Sequence, residues 1–284
     1  MKKPAQISRL SSWAKLGALG RLQQLLAARL PKSWRIGVAP LRQVAPILKR
    51  ELAAYFRSPV AYVFLITFLL STTGTTWYLG NFFASNEASL ETFFFFHPWL
   101  YLFLIPAVGM RLWAEERRSG AIEILLTLPI SLPAAVLAKF LAAWAFIGVG
   151  LALTFPMVAT VYFLGDPDGG VILSGYLGSF LMAGSYLAIA CFTSSLTRNQ
   201  VISFVLSFII CLVLVLLGWG VLSRTLQDLF PVWLADAIAQ FSFTTHYDAM
   251  RRGLIDARDV VYFLSVAGFM LFANVVVLDN QKAA

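Results

Sequence analysis

The feature that most constrains this chain is a set of long stretches without charge. Residues 59–79, 93–110, 139–164, 171–196, 200–222 and 260–278 contain no Asp, Glu, Lys or Arg apart from Lys139 at the edge of the third. A hydrocarbon core of about 30 Å is crossed by roughly 20 apolar residues in a helix. In lipid the backbone must satisfy its own hydrogen bonds, which leaves helices as the solution for runs of this length. The chain therefore reads as an all-α integral membrane protein with six transmembrane helices. Charged residues make up only 13% of it, against about 25% for a soluble domain. The first run begins near Pro59, too far along the chain for a signal-peptide core.

The formal net charge of +8 does not point to nucleic acid, because the cations are segregated. Of 22 Lys and Arg, only Arg224, Arg251, Arg252 and Arg258 fall on one side of the expected bilayer. The rest lie in residues 1–58, in 111–139, at Arg198 and at Lys282. The positive-inside rule then puts both termini in the cytoplasm, and a basic face suits anionic lipid. Cys191 and Cys211 fall inside apolar runs, where a thiol behaves as a small hydrophobe.

The interruptions between runs carry the information. Residues 1–40 are basic, with Ile7, Leu10, Ala14, Ala18, Leu22 and Leu25 near helical spacing. A surface-lying amphipathic helix and an unstructured tail both fit. In residues 41–58, Val44, Ile47, Leu48, Leu52, Tyr55 and Phe56 can share one face, opposite Arg42, Lys49, Arg50 and Glu51. This predicts an interfacial helix that feeds the first span at Pro59. Span two is expected to continue as a helix through Trp113 to Arg118 and to stop at Ser119-Gly120, where glycine accepts the left-handed cap. Ala121–Leu128 then form a two-turn helix ended by Pro129, and Ser131 and Pro133 start span three. So short a helix is unstable alone and needs a groove. Its own bundle and a soluble partner are both candidates. Residues 223–259 read as two short helices in the outer interface, with Asp259 capping span six.

Several chemistries lack residues to carry them. Within the spans His97, near the outer edge of span two, stands alone among Asp, Glu, Lys, Arg and His besides Lys139. Ion-coupled carriers place such groups at midplane, so a secondary carrier is disfavoured. There is no GxxxxGK[ST] phosphate loop, no HExxH and no GxSxG. The chain is thus expected to hold no catalytic or metal site. His97 and His246 are read as structural. Asp166-Pro167-Asp168-Gly169-Gly170 is read as a tight turn rather than a calcium loop, since it lacks the later Glu. Gly175, Gly178, Ala183 and Gly184 allow close helix approach in span four.

The stretch AEERRSGAIEILLTLPISLPAAVLAKF resembles the intracellular loop of ABC-2 type transporter permeases. The residues that carry the resemblance are Glu115, Glu116, Gly120, Glu123, Leu125, Leu126, Pro129 and Lys139. LKRELAAYFRSPVAYVF resembles the family's connecting helix through Arg50, Glu51, Tyr55 and Pro59. FHPWLYLFLIPAVGMRLWAEE, LTRNQVISF and FSFTTHYDAMRRGLIDARD are most similar to the gliding-motility-type branch. The resemblance covers about residues 40–280, leaving 1–39 as a basic extension ahead of a transmembrane domain at 40–284. It implies a permease in a bacterial inner membrane, paired with a second copy or a similar permease. Separate ATP-binding subunits would carry ATP and Mg. Glu115, Glu116, Arg117, Arg118, Gly120, Glu123, Leu125 and Leu126 would couple to them, and Arg50, Glu51, Tyr55 and Arg57 would form the connecting helix. A periplasmic or auxiliary membrane partner is also compatible.

Overall fold

The computed structural model describes residues 39–84, 88–123, 131–220 and 231–282. Expectations for residues 1–38, for Leu125, Leu126 and Pro129, and for Arg224, Leu226, Leu229 and Phe230 lie outside the described residues. Among the described residues the secondary structure is helical. Five helical segments are long and apolar enough to cross a membrane: Pro59–Leu79, Glu91–Ser119, Leu132–Leu164, Gly169–Leu196 and Ala257–Gln281. Gln200–Leu216 is apolar but shorter. The protein is a multi-pass membrane protein.

The first helix, α1 (Ala39–Arg57), carries Pro46 inside it. It lies along the third spanning segment, with Tyr55 stacked on Phe146 at 4.9 Å between ring centroids. Leu52 packs on the core while Lys49, Arg50 and Arg57 stay exposed, as an amphipathic face requires. Pro59 opens α2 (Pro59–Gly74) at a position where its missing N–H costs nothing. A π-helical turn, Thr75–Leu79, completes that segment. Thr72, Thr75 and Thr76 donate their hydroxyls back to carbonyls of the preceding turn.

Span two is α3 (Glu91–Gly109) followed by α4 (Arg111–Ser119), with a break at Met110. The break falls one turn after Pro106, and a second helix repairs it. Ser194 Oγ accepts from the amides of Trp113 and Ala114, each at 3.0 Å, and donates to the carbonyl of Met110 at 2.8 Å. A Cβ on Gly109 would meet the Ala190 side chain at 2.3 Å, so only glycine lets the break sit this close. Gly120 ends α4 in the left-handed region, with φ of 74°, as the sequence predicts.

Span three starts earlier than the sequence suggested. Ser131 and Pro133 do begin it, in α5 (Leu132–Ala152). Lys139 is therefore two turns inside the helix and buried rather than at its edge. After a turn at Leu153-Thr154, α6 (Phe155–Leu164) continues with Pro156 in its first turn. Asp168 then caps α7 (Gly169–Leu196), accepting from Gly170 and Val171, so the turn reading holds for this acid.

The hub is α7, which packs against α3, α4 and α5 and against three later helices, Gln200–Leu216, Phe243–Arg251 and Ala257–Lys282. It is 72% buried along its apolar window, against 28% for the first span and 17% for the last. Lipid tails are as apolar as leucine, so membrane helices associate through close packing rather than hydrophobic expulsion. The small residues of α7 provide it within the chain. Gly178 lies against Tyr247 and Met250, and Gly184 against the Trp144 ring.

Asn199 caps α8 (Gln200–Leu216) through Val201 N at 2.9 Å. This helix ends sooner than the expected span, which ran to Leu222. It stops where Ser242 and Thr244 cross its end at Gly218, Thr244 Oγ1 donating to the Val215 carbonyl. Beyond it come α9 (Val232–Ala239) and α10 (Phe243–Arg251). Two short helices were expected here, but α10 is not a surface helix. Phe243, Tyr247 and Met250 are buried against the bundle. The last helix is α11 (Ala257–Lys282). Asp256, not Asp259, caps it, accepting from Arg258 N at 3.0 Å. Asp259 is instead drawn to His246.

Candidate functional site

Lys139 is the residue on which the basic end of the bundle converges. Its ammonium lies 2.6 Å from Glu116 Oε1 on α4 and 3.4 Å from Glu51 Oε2 on α1. The Trp113 ring lies beneath it, 5.4 Å from Nζ. Three helices far apart in sequence thus meet at one buried cation. Such a charge is costly in a low-dielectric interior unless paired, and these two carboxylates supply the pairing. Glu51 also accepts from the Arg50 guanidinium at 2.7 Å. Burial pushes the Glu51 carboxyl up, but Lys139 and Arg50 together outweigh it and hold the group below its ordinary value. Glu116 Oε2 is buried and without a hydrogen-bond partner.

The rest of α4 divides by face. Trp113 is buried, with its indole N–H directed to Cys191 Sγ at 3.3 Å. Asn274 on α11 reaches the same sulfur at 2.9 Å. Arg111 and Glu115 form an i,i+4 pair at 3.1 Å on the exposed side, worth at most about 0.5 kcal/mol. Arg117 donates to the Ser195 carbonyl, which Gln281 also approaches at 3.4 Å. Arg117, Arg118, Gly120, Glu123, Arg198 and Gln281 line a cleft of about 610 Å³ at this end. Glu123 donates its amide to the Gly120 carbonyl and is exposed.

The sequence-named residues therefore fall into two groups. Glu51, Tyr55 and Glu116 meet around Lys139 and Phe146. Arg117, Arg118, Gly120 and Glu123 gather at the second cleft, with Arg57 exposed at the end of α1. Sequence reasoning did not foresee Lys139 as the hub, nor Ser194, Arg198 and Gln281. The signal for Lys139 was available: a lysine in an apolar helix with no acid at i±3 or i±4 must find its carboxylate on another segment.

The far end has its own polar assemblies. His97 is buried, its Nδ1 2.7 Å from Ser179 Oγ, which lies 2.7 Å from the Tyr247 hydroxyl. His246 stacks on Tyr262 at 3.9 Å, with Nδ1 2.7 Å from Asp259 and Nε2 2.8 Å from the Gln240 carbonyl. Arg251 bridges Asp248 and Glu91, each at 3.2 Å. Both histidines pack in structural networks. No group of three metal-ligating side chains occurs among the described residues.

A buried ion cluster thus joins three helices at one end of a multi-pass membrane protein. A family model described as ABC-2 family transporter protein matches residues 66–278. The chain belongs to that family, whose membrane subunits work with an ABC ATP-binding subunit. Among curated proteins none matches.

Proposed function

We propose that this chain is the membrane-spanning permease subunit of an ATP-driven ABC-2 exporter, with the basic end receiving motion from separate ATP-binding subunits. The observation that carries this is the Lys139 cluster, in which α4, α1 and α5 share one ammonium. A push on the segment after Gly120 would be passed through Glu116 and Lys139 to α1, and from there to α2. In this reading Glu116 transmits and the second cleft, with Arg117, Arg118 and Glu123, receives. ATP and Mg belong to the partner. The full arrangement has six spans, with Gln200–Leu216 crossing as the fifth and both termini in the cytoplasm of a bacterial inner membrane. A second copy or similar permease completes it, and anionic lipid lies against the basic face. The sequence segments quoted above favour the gliding-motility-type branch.

The test is recovery of the ATP-binding subunit with the tagged full-length chain. Glu123→Lys should lower recovery, and Glu116→Lys should lower stimulated ATPase activity, both with normal membrane insertion. Normal recovery and ATPase activity from both variants would sink the coupling model. A second reading is a force-transmitting anchor acting on a periplasmic partner. Trp233 on α9 and Phe241 in the turn after it, 71% and 64% exposed, favour it. ATPase stimulation by a protein partner but by no solute would select it.

A further inference from the structure

Beside the Lys139 cluster, α1, α2, α3, α4 and α5 enclose a second cavity of about 610 Å³. That size suits a ligand or part of one. Its apolar part is lined by Val60, Val63, Phe64, Leu104 and Val108. Val60 and Val63 are also exposed, so the cavity opens to the surroundings of α2. From Val60 to Thr67 the lining runs about 10 Å along that helix, at about 1.5 Å per residue. Its polar part is Glu51, Arg111, Glu115, Glu116 and Lys139.

The acceptors in this lining are incompletely matched. Lys139 is shared by Glu51 and Glu116, and Arg111 engages Glu115 through Nε. Glu51 has a second cation in Arg50, whereas the buried Oε2 of Glu116 has no donor. A buried acceptor without a donor is an uncompensated cost. What would complete the site is a cationic N–H donor on a molecule with an apolar tail. Arg111 uses no terminal nitrogen in its pair with Glu115, leaving those nitrogens for an anion beside that cation.

We propose that the cavity binds a zwitterionic aminophospholipid. Its primary ammonium would sit on Glu116, its phosphate on Arg111, and the upper part of one acyl chain against Phe64 and Leu104. The leaflet it comes from rests on the topology proposed above, but the binding itself does not need the ATP-binding subunit. That subunit is therefore left out of the test, so failure here and failure of coupling are read separately.

The experiment is native mass spectrometry of the full-length chain exchanged into phosphatidylethanolamine, phosphatidylcholine or phosphatidylglycerol with identical acyl chains. Phosphatidylethanolamine should be retained about tenfold over phosphatidylcholine, whose quaternary nitrogen has no N–H. That ratio is the scale of one charge-assisted hydrogen bond. Glu116→Gln should reduce the ratio to near one, and Ala107→Trp, which fills the cavity without touching the ion cluster, should lower retention of all three. In wild-type protein a phosphatidylethanolamine with a photoreactive acyl chain should crosslink within 60–67 and 104–108. Equal retention of phosphatidylethanolamine and phosphatidylcholine, absence of any retained lipid (as when a second copy covers the cavity), or crosslinks confined to other helices would each overturn the proposal.

Discussion

The two ends of the bundle both hold buried ion pairs, but they are built differently. At the basic end, Lys139 is paired with Glu51 and Glu116, partners from helices remote in sequence. At the far end, His246 meets Asp259 and Gln240 within 13 residues, while Arg251 meets both the nearby Asp248 and the remote Glu91. The far end is also fully dressed around His246: both ring nitrogens face acceptors, and Tyr262 covers the ring while donating to the Phe241 carbonyl. Both ends leave buried polar atoms unmatched, Glu116 Oε2 at the basic end and Arg251 Nε and His97 Nε2 at the far end, but only Glu116 among these lines the cavity beside the Lys139 cluster. The local, satisfied contacts of His246 fix one corner. Long-range contacts through a single ammonium tie separate helices together while leaving room for them to shift. Under the coupling proposed above, the His246 corner braces and the basic end transmits.

The sharpest way to break that assignment is to remove the hub. Lys139→Met strands Glu51 and Glu116 near one another, and loss of one partner from a buried ion cluster costs about 3–5 kcal/mol. Thermal unfolding of the purified chain should show a large downward shift. The neutral triple variant Glu51→Gln/Glu116→Gln/Lys139→Met should regain most of that stability, since apolar or neutral replacements of buried ion sets are tolerated. It should still fail to pass partner binding to ATPase stimulation. A triple variant with normal stimulation would reduce the cluster to packing.

Next in size is Ser194→Ala. One hydroxyl serves two amides and a carbonyl at the Met110 break. Its loss should cost about 2 kcal/mol, within the range for buried groups left unsatisfied. Unfolding should shift accordingly, and hydrogen exchange should rise at Trp113 and Ala114. Unchanged exchange at those amides would mean the break is held by packing alone.

At the far end, Asp259→Asn should cost about 1.5 kcal/mol, the scale of a hydrogen bond to a charged group. Stability should fall while recovery of the ATP-binding subunit and ATPase stimulation stay at the wild-type level. Equal damage to coupling from this variant would erase the distinction between the ends.

How much of this was legible beforehand follows from what each residue signals locally. Pro59, Ser131, Pro133 and Gly120 announce helix boundaries through backbone chemistry that needs no tertiary context, and the helices start and stop there. Asp168 was read as a turn residue, and it caps α7. The amphipathic pattern of residues 41–58 predicted α1 and the face that carries its partly buried Leu52 and Tyr55, although Phe56, expected on that face, is exposed. Lys139 was misread as a boundary because hydropathy treats every lysine as solvent-seeking. Its burial depends on Glu51 and Glu116, and nothing local reveals that they converge. Asp259 shows the same limit. A cap is a local inference, whereas the His246 pairing depends on how α10 docks. Ser194 gave no sign of its role, because that role exists only where another helix is broken.

The smallest expected effect concerns pH at the basic end. Glu51 holds its proton less readily in the folded chain than in the unfolded one, despite burial, because of Lys139 and Arg50. A depressed carboxyl value means its contribution is fully present above the ordinary carboxylate range of about 4. It is lost only as pH falls through the lower folded value. The contact between α1 and α5 should therefore hold from neutral pH down to that range and loosen below it. Spin labels at exposed Lys49 and at Leu141, which avoid the cluster, would report the separation. Glu51→Gln should remove the acid-dependent step while leaving the neutral-pH distance nearly unchanged, because Tyr55 still stacks on Phe146. A step between pH 5 and 7 would contradict the lowered value and place the controlling proton elsewhere. A wild-type distance that never changes would show that packing, with no help from charge, holds α1 in place.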